Sequence, residues 1–255
     1  MPQSEQQRVV DLHPVLWLGL PLVTLCLCWL MPVIAADEEH WRLMVEGEGS
    51  FLEIATVVLL IPAMVLSVMI FLRRRELPGG AGWVMLLGGV AALYFAGEEI
   101  SWGQHLVHFR TPDFLEEINR QHEFNLHNIE HWNVFNNLPR QVMLALTLAG
   151  GLILPFVLRK RLSGPAAREG LLYWLVPTWR LAPMALVAVL STVPEKLFKR
   201  ALVSAGAKDT YVYQAFIEPG GELKEYGFAA VMLMYLLSVY LRMGPGPAPP
   251  EGEAG

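Results

Sequence analysis

Long apolar runs dominate this chain of 255 residues, and they restrict the folds that are open to it. Hydrophobic residues make up 54% of the sequence and charged residues only 17%, with a mean hydropathy of +0.39. A helix needs about 20 mostly apolar residues to cross a bilayer, and several windows satisfy this. Because no convincing strand pattern accompanies them, the sequence predicts an all-α integral membrane protein with about six transmembrane helices.

The predicted spans form one polytopic membrane domain of residues 1–242. The third apolar run is short, so we expect its helix to continue through Glu98 towards Trp102. The tail of residues 243–255 is rich in proline and glycine and is predicted to be disordered. The six predicted spans cover residues 15–36, 51–72, 83–102, 141–158, either 171–193 or 181–202, and 226–241.

Basic residues in short loops indicate the orientation of the spans. The runs RRR at residues 73–75 and RKR at 159–161 close the second and fourth spans, and such loops stay in the cytoplasm. This predicts a bacterial inner-membrane protein with both termini cytoplasmic and an outer loop, residues 98–140, facing the periplasm. A helix-start pattern at residues 111–113 (TPD) predicts that this loop is an ordered subdomain with short interfacial helices.

The net charge argues against nucleic-acid binding, and the cysteine content argues against cysteine-based cross-links or metal sites. The net charge of −5 and the lack of a basic patch interleaved with aromatics argue against nucleic acid as a partner. The lipid bilayer is the expected partner instead. Cys26 and Cys28, the only cysteines, lie two apart in an apolar run and supply neither a disulfide framework nor a thiolate metal site.

The strongest polar feature is the outer loop, which holds five of the seven histidines. Glu98 and Glu99 begin it, and adjacent carboxylates at membrane depth are costly unless paired, protonated or metal-bound. On a continued helix Glu98, Trp102 and His105 share one face, whereas Glu99 is turned away by about 100°. At most one of the two glutamates can therefore face a site that Trp102 also lines.

A metal site is one hypothesis for this cluster. His127 and His131 are four residues apart in HNIEH, so a helix from Asn125 to about residue 134 would place both imidazoles on one face. Glu98 would be a third ligand, and Glu98 or Glu99 the general base. A histidine and carboxylate set suits a divalent metal such as Zn, or Mn or Fe. The alternatives are a structural cap and a proton relay or substrate-binding site without metal.

Neutral amides in the same loop suggest a binding role. Gln104, Asn125 and Asn128 suit hydroxyl-rich or amide ligands such as lipid headgroups or sugars, although they equally suit a loop that satisfies its own backbone. Trp102 would line the same site.

Other charged residues near the predicted spans have two interpretations each. Glu53 lies one short turn into the second span, and either contributes to a polar site or reaches the membrane surface. Arg180 lies between two prolines in the fifth span, and either pairs with an acid inside the membrane or extends to the inner interface. Glu195, Glu222 and Glu225 are further acids on the outer side that can converge on the site.

Two motifs, GEEISWGQ at residues 97–104 and EFNLHN at 123–128, resemble a family of bacterial multi-spanning membrane proteins for which no activity is established. The resemblance covers about the thirty residues between the motifs and the layout of spans, so it implies an architecture but no reaction. In that family an Arg often follows the Gln, where this chain has His105, and this favours His127 as the functional histidine. The matching positions also include Glu98, Glu99, Gln104, Asn125 and Asn128.

The HxxxH spacing also has a looser similarity to the ceramidase/progestin-receptor-like superfamily of membrane metal hydrolases. In that superfamily the motif lies on a late span, so the similarity concerns the chemistry and not membership. The leading functional hypothesis is thus a metal-dependent membrane hydrolase or transferase acting on a lipid or lipid-linked substrate at the outer leaflet. The alternatives are a non-catalytic assembly or partner protein and a proton-coupled transporter with Glu53, Glu98 and Arg180 in a central path.

Overall fold

The computed structural model describes residues 10–34, 38–46, 49–119, 122–129, 134–206 and 219–245. The chain is 77% helical, with no strands in these ranges, which confirms the predicted helical class. An isolated bridge pairs Asn119 with Ile129 within residues 98–140, which are called the polar loop below. Five helices are long and apolar enough to cross a membrane, which indicates a membrane protein.

Seven longer helices build the described part of the chain. They are α1 (Pro14–Ile34), α2 (Phe51–Leu72), α3 (Ala81–Glu99), α4 (Val134–Val157), α5 (Leu171–Leu190), α6 (Val193–Ser204) and α7 (Pro219–Met243).

Shorter helical turns connect them: Glu38–Trp41, Arg42–Glu46, Arg74–Glu76, Ser101–Gly103, Gln104–Val107, Asp113–Glu116 and Pro165–Glu169. The five helices of spanning length are α2, α3, α4, α5 and α7. In α1 the part with described side chains is a shorter apolar helix, Pro14–Cys28.

Local sequence explains the start and end of α2. Ser50 accepts a hydrogen bond from the backbone N–H of Glu53, and the Glu53 carboxylate accepts one from the backbone N–H of Ser50. This capping box satisfies two of the free donors at the helix start. The helix ends at Leu72, after which Arg73 forms a 2.6 Å ion pair with Glu76 in the following tight turn.

Small residues let the helices pack closely, as is common in membranes. A Cβ on Gly89 of α3 would overlap Ser67 Oγ of α2. A Cβ on Gly227 of α7 would lie 2.8 Å from Ala188 Cβ of α5. The helix α7 packs against α1, α2 and α5 and is the most buried of the five spanning helices, so it forms the centre of the bundle.

Helix limits differ from the predicted spans at several places. The helix α3 ends at Glu99 instead of continuing to Trp102, because the next residues adopt left-handed backbone conformations. The helix α4 begins at Val134, before the predicted residue 141, and contains a wide π-type turn, Thr147–Ile153. The helix α7 begins at Pro219, before the predicted residue 226, which places two acids inside the helix.

The fifth span resolves into separate pieces. The first turns, Leu171–Leu175, end before Pro177, which has no backbone N–H to continue the helix. Helical structure resumes at Trp179 and continues to Leu190, and α6 follows as a separate helix. The whole segment, Leu171–Leu190, is closer to the first predicted span, 171–193, than to the second, with an interruption between Leu175 and Trp179. Of the predicted disordered tail, residues 246–255 lie outside the described ranges.

Candidate functional site

The two adjacent glutamates at the end of α3 have different partners. Successive helical residues are turned by about 100°, so the two side chains leave the helix in different directions. Glu98 contacts the polar loop, whereas Glu99 lies beside Glu222 and Glu225 of α7. Of the two glutamates, Glu98 accepts a hydrogen bond from Trp102.

Glu98 connects the polar loop to α3 through hydrogen bonds. Its carboxylate is 4% exposed, and Oε1 accepts a 2.8 Å hydrogen bond from Nε1 of Trp102. Oε2 accepts hydrogen bonds from the backbone N–H groups of Leu126 (2.7 Å) and His127 (2.9 Å). The ring Nδ1 of His127 lies 3.4 Å from the same oxygen. Both carboxylate oxygens thus accept hydrogen bonds from the loop that follows α3, as the structural-cap alternative expects.

A left-handed turn brings Trp102 back to Glu98. Ser101, Trp102 and Gly103 have φ values of 46°, 53° and 79°. This region is unfavourable for a bulky side chain and is maintained only where the surroundings enforce it. The turn places the indole directly on Gly97, where a Cβ would lie 2.8 Å from the ring.

The left-handed turn also changes the position predicted for His105. A continued α3 would have placed His105 on the face of Glu98, but the reversal directs its ring Nε2 to within 3.4 Å of Oε1 of Glu123. The Trp102 contact with Glu98 is therefore made by a chain reversal and not by helical spacing.

A buried polar network fills the loop behind this turn. Ser101 and Asn125 both donate hydrogen bonds to Oε2 of Glu123, at 2.5 and 2.8 Å, and Asn125 also donates to Ser101. Asn119 donates to the side-chain and backbone oxygens of Asn125 at 2.8 and 2.9 Å. All four residues are buried, so these polar groups satisfy one another in a low-dielectric environment. Asn125, a predicted ligand-binding residue, is used inside this network.

Gln104 also links parts of the loop. Its Nε2 donates to Oγ1 of Thr111 at 2.7 Å, and its Oε1 accepts from the backbone N–H of Phe124 at 2.6 Å. Thr111 donates in turn to the carbonyl of His122. Thr111 is therefore not the predicted N-cap, and the short helix Asp113–Glu116 has no side-chain cap.

In the described part of the loop, no helix places the two histidines proposed as metal ligands on one face. His127 lies in a turn, and residues 125–129 contain no helix. His131 lies outside the described residues. Asn128 lies in the same turn as His127 and is partly buried. The described geometry brings together His127 and Glu98 alone of the three predicted ligands.

A carboxylate cluster lies on the other side of α3. Glu99, Glu222 and Glu225 each offer an oxygen, and these atoms all lie within 4.8 Å of one another. Glu222 and Glu225 are three residues apart on α7, so they share a helix face that points at α3. Of the described residues, this is the group whose geometry could hold a metal ion.

Arg140 of α4 completes the cluster. Its Nε donates to Oε1 of Glu225 at 2.5 Å, and it interacts electrostatically with Glu99 and Glu222 as well. Glu225 is 9% exposed. Three helices that are distant in sequence thus supply the four charged groups.

Glu53, at the start of α2, lies close to the carboxylate cluster. Its carboxylate accepts hydrogen bonds from the backbone N–H groups of Gly49 and Ser50, at 2.9 and 3.2 Å. It also interacts electrostatically with Glu99 and Glu222. The structure therefore brings Glu53 close to the carboxylate cluster, while its hydrogen bonds are those of a helix cap.

A cavity of about 200 Å³ adjoins the cluster between α3, α4 and α7. Its polar end holds Glu98, Glu99, His127, Asn136, Arg140 and Glu225. Its remaining walls are mostly apolar and include Tyr94, Phe95, Met143, Phe228 and Met232. The cavity therefore combines charged groups at one end with an apolar body, as small-molecule sites commonly do.

Charge balance constrains what this cluster can hold. Three glutamates and one arginine carry a formal charge of −2, which is costly between apolar helices unless protons or a cation neutralise it. A divalent cation would neutralise it. A donor set consisting of carboxylate oxygens alone suits hard cations such as Mg²⁺, Mn²⁺ or Ca²⁺ better than Zn²⁺.

Arg180 is not part of this site. Its Nη1 donates to the backbone carbonyl of Leu12 at 2.9 Å and lies 3.8 Å from Asp11, and Asp11 accepts from Ser238 near the end of α7. Because Ser238 lies 13 residues beyond Glu225 on one helix, about 20 Å separate the two ends. The acid that pairs with Arg180 is Asp11, at the opposite end of the bundle from the carboxylate cluster.

Arg140 was not among the predicted site residues, and Glu222 and Glu225 were predicted only as outer-side acids that can converge on the site. Two signals pointed to them: the i, i+3 spacing of the two glutamates before an apolar run, and a lone arginine at the start of another. Neither signal shows that these runs are neighbours, which only the packing reveals.

Comparison of the chain with protein-family models, curated proteins and solved structures finds no match.

Proposed function

We propose that this protein is a membrane-embedded, metal-dependent hydrolase or transferase that acts on a lipid or lipid-linked substrate. The observation that carries the proposal is the convergence of Glu99, Glu222 and Glu225 within 4.8 Å, beside a largely apolar cavity. A cation held by carboxylates can activate water or polarise a carbonyl or phosphoryl oxygen.

The proposed ligands differ from those suggested by the sequence. Glu99, Glu222 and Glu225 would hold the cation in place of His127 and His131, and Glu98 keeps its structural role. Arg140 orients Glu225 through their hydrogen bond and places a positive charge at the polar end of the cavity. That charge suits an anionic group of the substrate, while the apolar walls suit part of a lipid chain.

The membrane placement is part of the same proposal. The basic loops after α2 and α4 favour a cytoplasmic position for that end, with the chain in a bacterial inner membrane and α1 as a sixth span. Both termini then lie in the cytoplasm, and the outer loop subdomain, residues 98–140, faces the periplasm. Glu99, Glu222 and Glu225 lie at the end of the helices nearest that loop, so the reaction would take place at the outer leaflet.

The same cluster supports a second candidate, a proton-coupled carrier. Carboxylates this close together in apolar surroundings can share protons instead of a metal, and Arg140 can stabilise the ionised form of one of them. The buried network around Glu123 supports a third candidate, a non-catalytic partner protein whose polar loop is ordered for binding.

Metal content of the purified full chain tests the proposal. We expect about one Mg²⁺ or Mn²⁺ per chain by mass spectrometry of the metal, as a single site with three protein ligands requires. Glu99→Gln, Glu222→Gln and Glu225→Gln should each lower that content, whereas Glu117→Gln in the exposed loop should not.

Activity on a bacterial polar lipid extract, followed by mass spectrometry of the products, completes the test. Product formation should depend on added metal and on the three glutamates. A metal-free preparation with full activity would refute the metal mechanism. Proton flux in liposomes that depends on Glu99 without bound metal or lipid products would favour the carrier.

A further inference from the structure

A second cavity, of about 170 Å³, lies at the opposite end of the bundle from the carboxylate cluster. It is bounded by the end of α4, the interrupted start of α5 and the end of α7. The polar residues that line it include Arg159, Ser163, Thr178 and Arg242. None of the described residues that line it is acidic.

Arg242 is unusually buried for an arginine, with 6% of its surface exposed. Its Nε donates to the carbonyl of Ser238 at 3.2 Å and its Nη1 to the carbonyl of Tyr173 at 2.7 Å. The guanidinium carbon lies 5.1 Å from the Tyr173 ring centre and 5.7 Å from that of Trp174. These contacts fix the guanidinium plane in one orientation at the wall of the cavity.

One donor atom of this fixed group has no partner. The Nη2 atom of Arg242 is buried and makes no hydrogen bond, and the same is true of Oγ1 of Thr178, another residue that lines the cavity. Buried polar groups are nearly always satisfied, so two unsatisfied donors at one cavity indicate a ligand that accepts hydrogen bonds. Asp11 acts on Arg242 only electrostatically and accepts a hydrogen bond from Ser238.

We propose that this cavity binds a phosphate group, either the headgroup phosphate of an anionic phospholipid or free phosphate. Arg242 supplies a preoriented charged donor and Thr178 a hydroxyl, and Arg159 adds a second positive charge at the exposed edge. A guanidinium group donates charge-assisted hydrogen bonds to the oxygens of a phosphate. The site is independent of the proposed metal site.

The experiment measures binding to the purified full chain in neutral detergent. One arm compares, by native mass spectrometry, the retention of phosphatidylglycerol and of diacylglycerol with the same chains. The other arm compares the thermal midpoint in sodium phosphate and in sodium chloride of equal ionic strength, for wild type and for Thr178→Val. Only a gain in phosphate that is larger for wild type counts as binding, because phosphate stabilises folded proteins in general. Retention of phosphatidylglycerol alone identifies a lipid headgroup, and stabilisation by phosphate alone identifies a free anion. Either result supports the site.

Four variants test the residues. Thr178→Val keeps the shape and removes an unsatisfied hydroxyl, so the protein should stay folded and bind about tenfold more weakly. Arg159→Gln should weaken binding similarly, and Arg242→Lys should do so by removing the second Nη donor. Lys160→Gln is the matched control, with the same charge change one residue away and outside the cavity, and it should bind normally.

The proposal is overturned if the wild-type chain neither retains phosphatidylglycerol over diacylglycerol nor gains stability in phosphate over chloride. It is equally overturned if Lys160→Gln weakens binding as much as Arg159→Gln, because binding would then reflect charge alone. Because Thr178→Val should fold even if Arg242→Lys does not, unchanged binding by Thr178→Val also refutes the site.

Discussion

Arg140 and Glu225 form an ion pair across 85 residues of sequence, with Nε of the guanidinium 2.5 Å from Oε1 of the carboxylate. The pair joins α4 to α7 at the polar end of the larger cavity. Glu99 and Glu222 lie against the same carboxylate, so Arg140 offsets a repulsion that α3 and α7 would otherwise experience.

Arg140→Gln should therefore destabilise the fold by about 2 kcal/mol, because it leaves Glu225 beside two other carboxylates. Arg140→Gln/Glu225→Gln should recover part of that loss, since the second change removes one of the repelling charges. Thermal unfolding in detergent measures both variants and the Glu225→Gln single variant. Equal loss in the single and double variants would show that the repulsion is unimportant.

Glu98→Gln should affect stability, whereas Glu99→Gln should affect bound metal. Glu98 accepts hydrogen bonds from Trp102, Leu126 and His127, so its amide variant should lower stability by about 1–3 kcal/mol while leaving bound metal unchanged. Glu99→Gln should lower metal content without loss of stability, because it relieves repulsion in the cluster. Thermal unfolding and metal analysis of the same samples separate the two effects. A shared phenotype would contradict the division of roles between the two residues.

Gly97→Ala should destabilise the protein, because the added methyl group would lie 2.8 Å from the Trp102 ring. The expected cost is about 1–3 kcal/mol, measured by thermal unfolding in detergent. Gly88→Ala is the matched control on the same helix, since nothing lies within 4 Å of its added Cβ. That change should be neutral or stabilising by up to about 1 kcal/mol. A tolerated Gly97→Ala would argue against the observed packing of Trp102.

Glu76 should contribute stability that depends on pH. The hydrogen bond from Arg73 lowers the pKa of Glu76 below its ordinary value. A carboxyl group with a lower pKa in the folded state stabilises the fold above its unfolded pKa of about 4.3, and this contribution disappears as pH falls through the folded pKa. The thermal midpoint of Glu76→Gln should thus be below that of wild type at neutral pH and approach it on acidification. A pH-independent difference would exclude this linkage.

Local patterns were enough to predict the helical class and several details. The apolar runs predicted α2 within a residue of its observed limits, because its ends carry clear signals at Ser50 and Arg73. Helical phase predicted that Glu98 and Glu99 diverge. The end of α3 was not predictable, since the left-handed turn at Ser101 and Trp102 is enforced by contacts with Gly97 and Glu98 rather than by local preference.

The polar loop shows the same limit. The helix-start pattern at residues 111–113 predicted an ordered segment, but the HNIEH pattern predicted a helix where residues 125–129 form turns. Their backbone donors are directed to Glu98 instead, so a distant carboxylate outweighs the local helical spacing. Spacing alone cannot indicate such a partner.

By itself the sequence determined that this chain forms apolar helices long enough to cross a membrane, because hydrophobic content and helical periodicity are local properties. Only the tertiary structure decided that Glu99 meets Glu222, Glu225 and Arg140, because that meeting requires α3, α4 and α7 to pack together at one end. The free energy of a buried charge depends on which charges face it, and packing alone determines that.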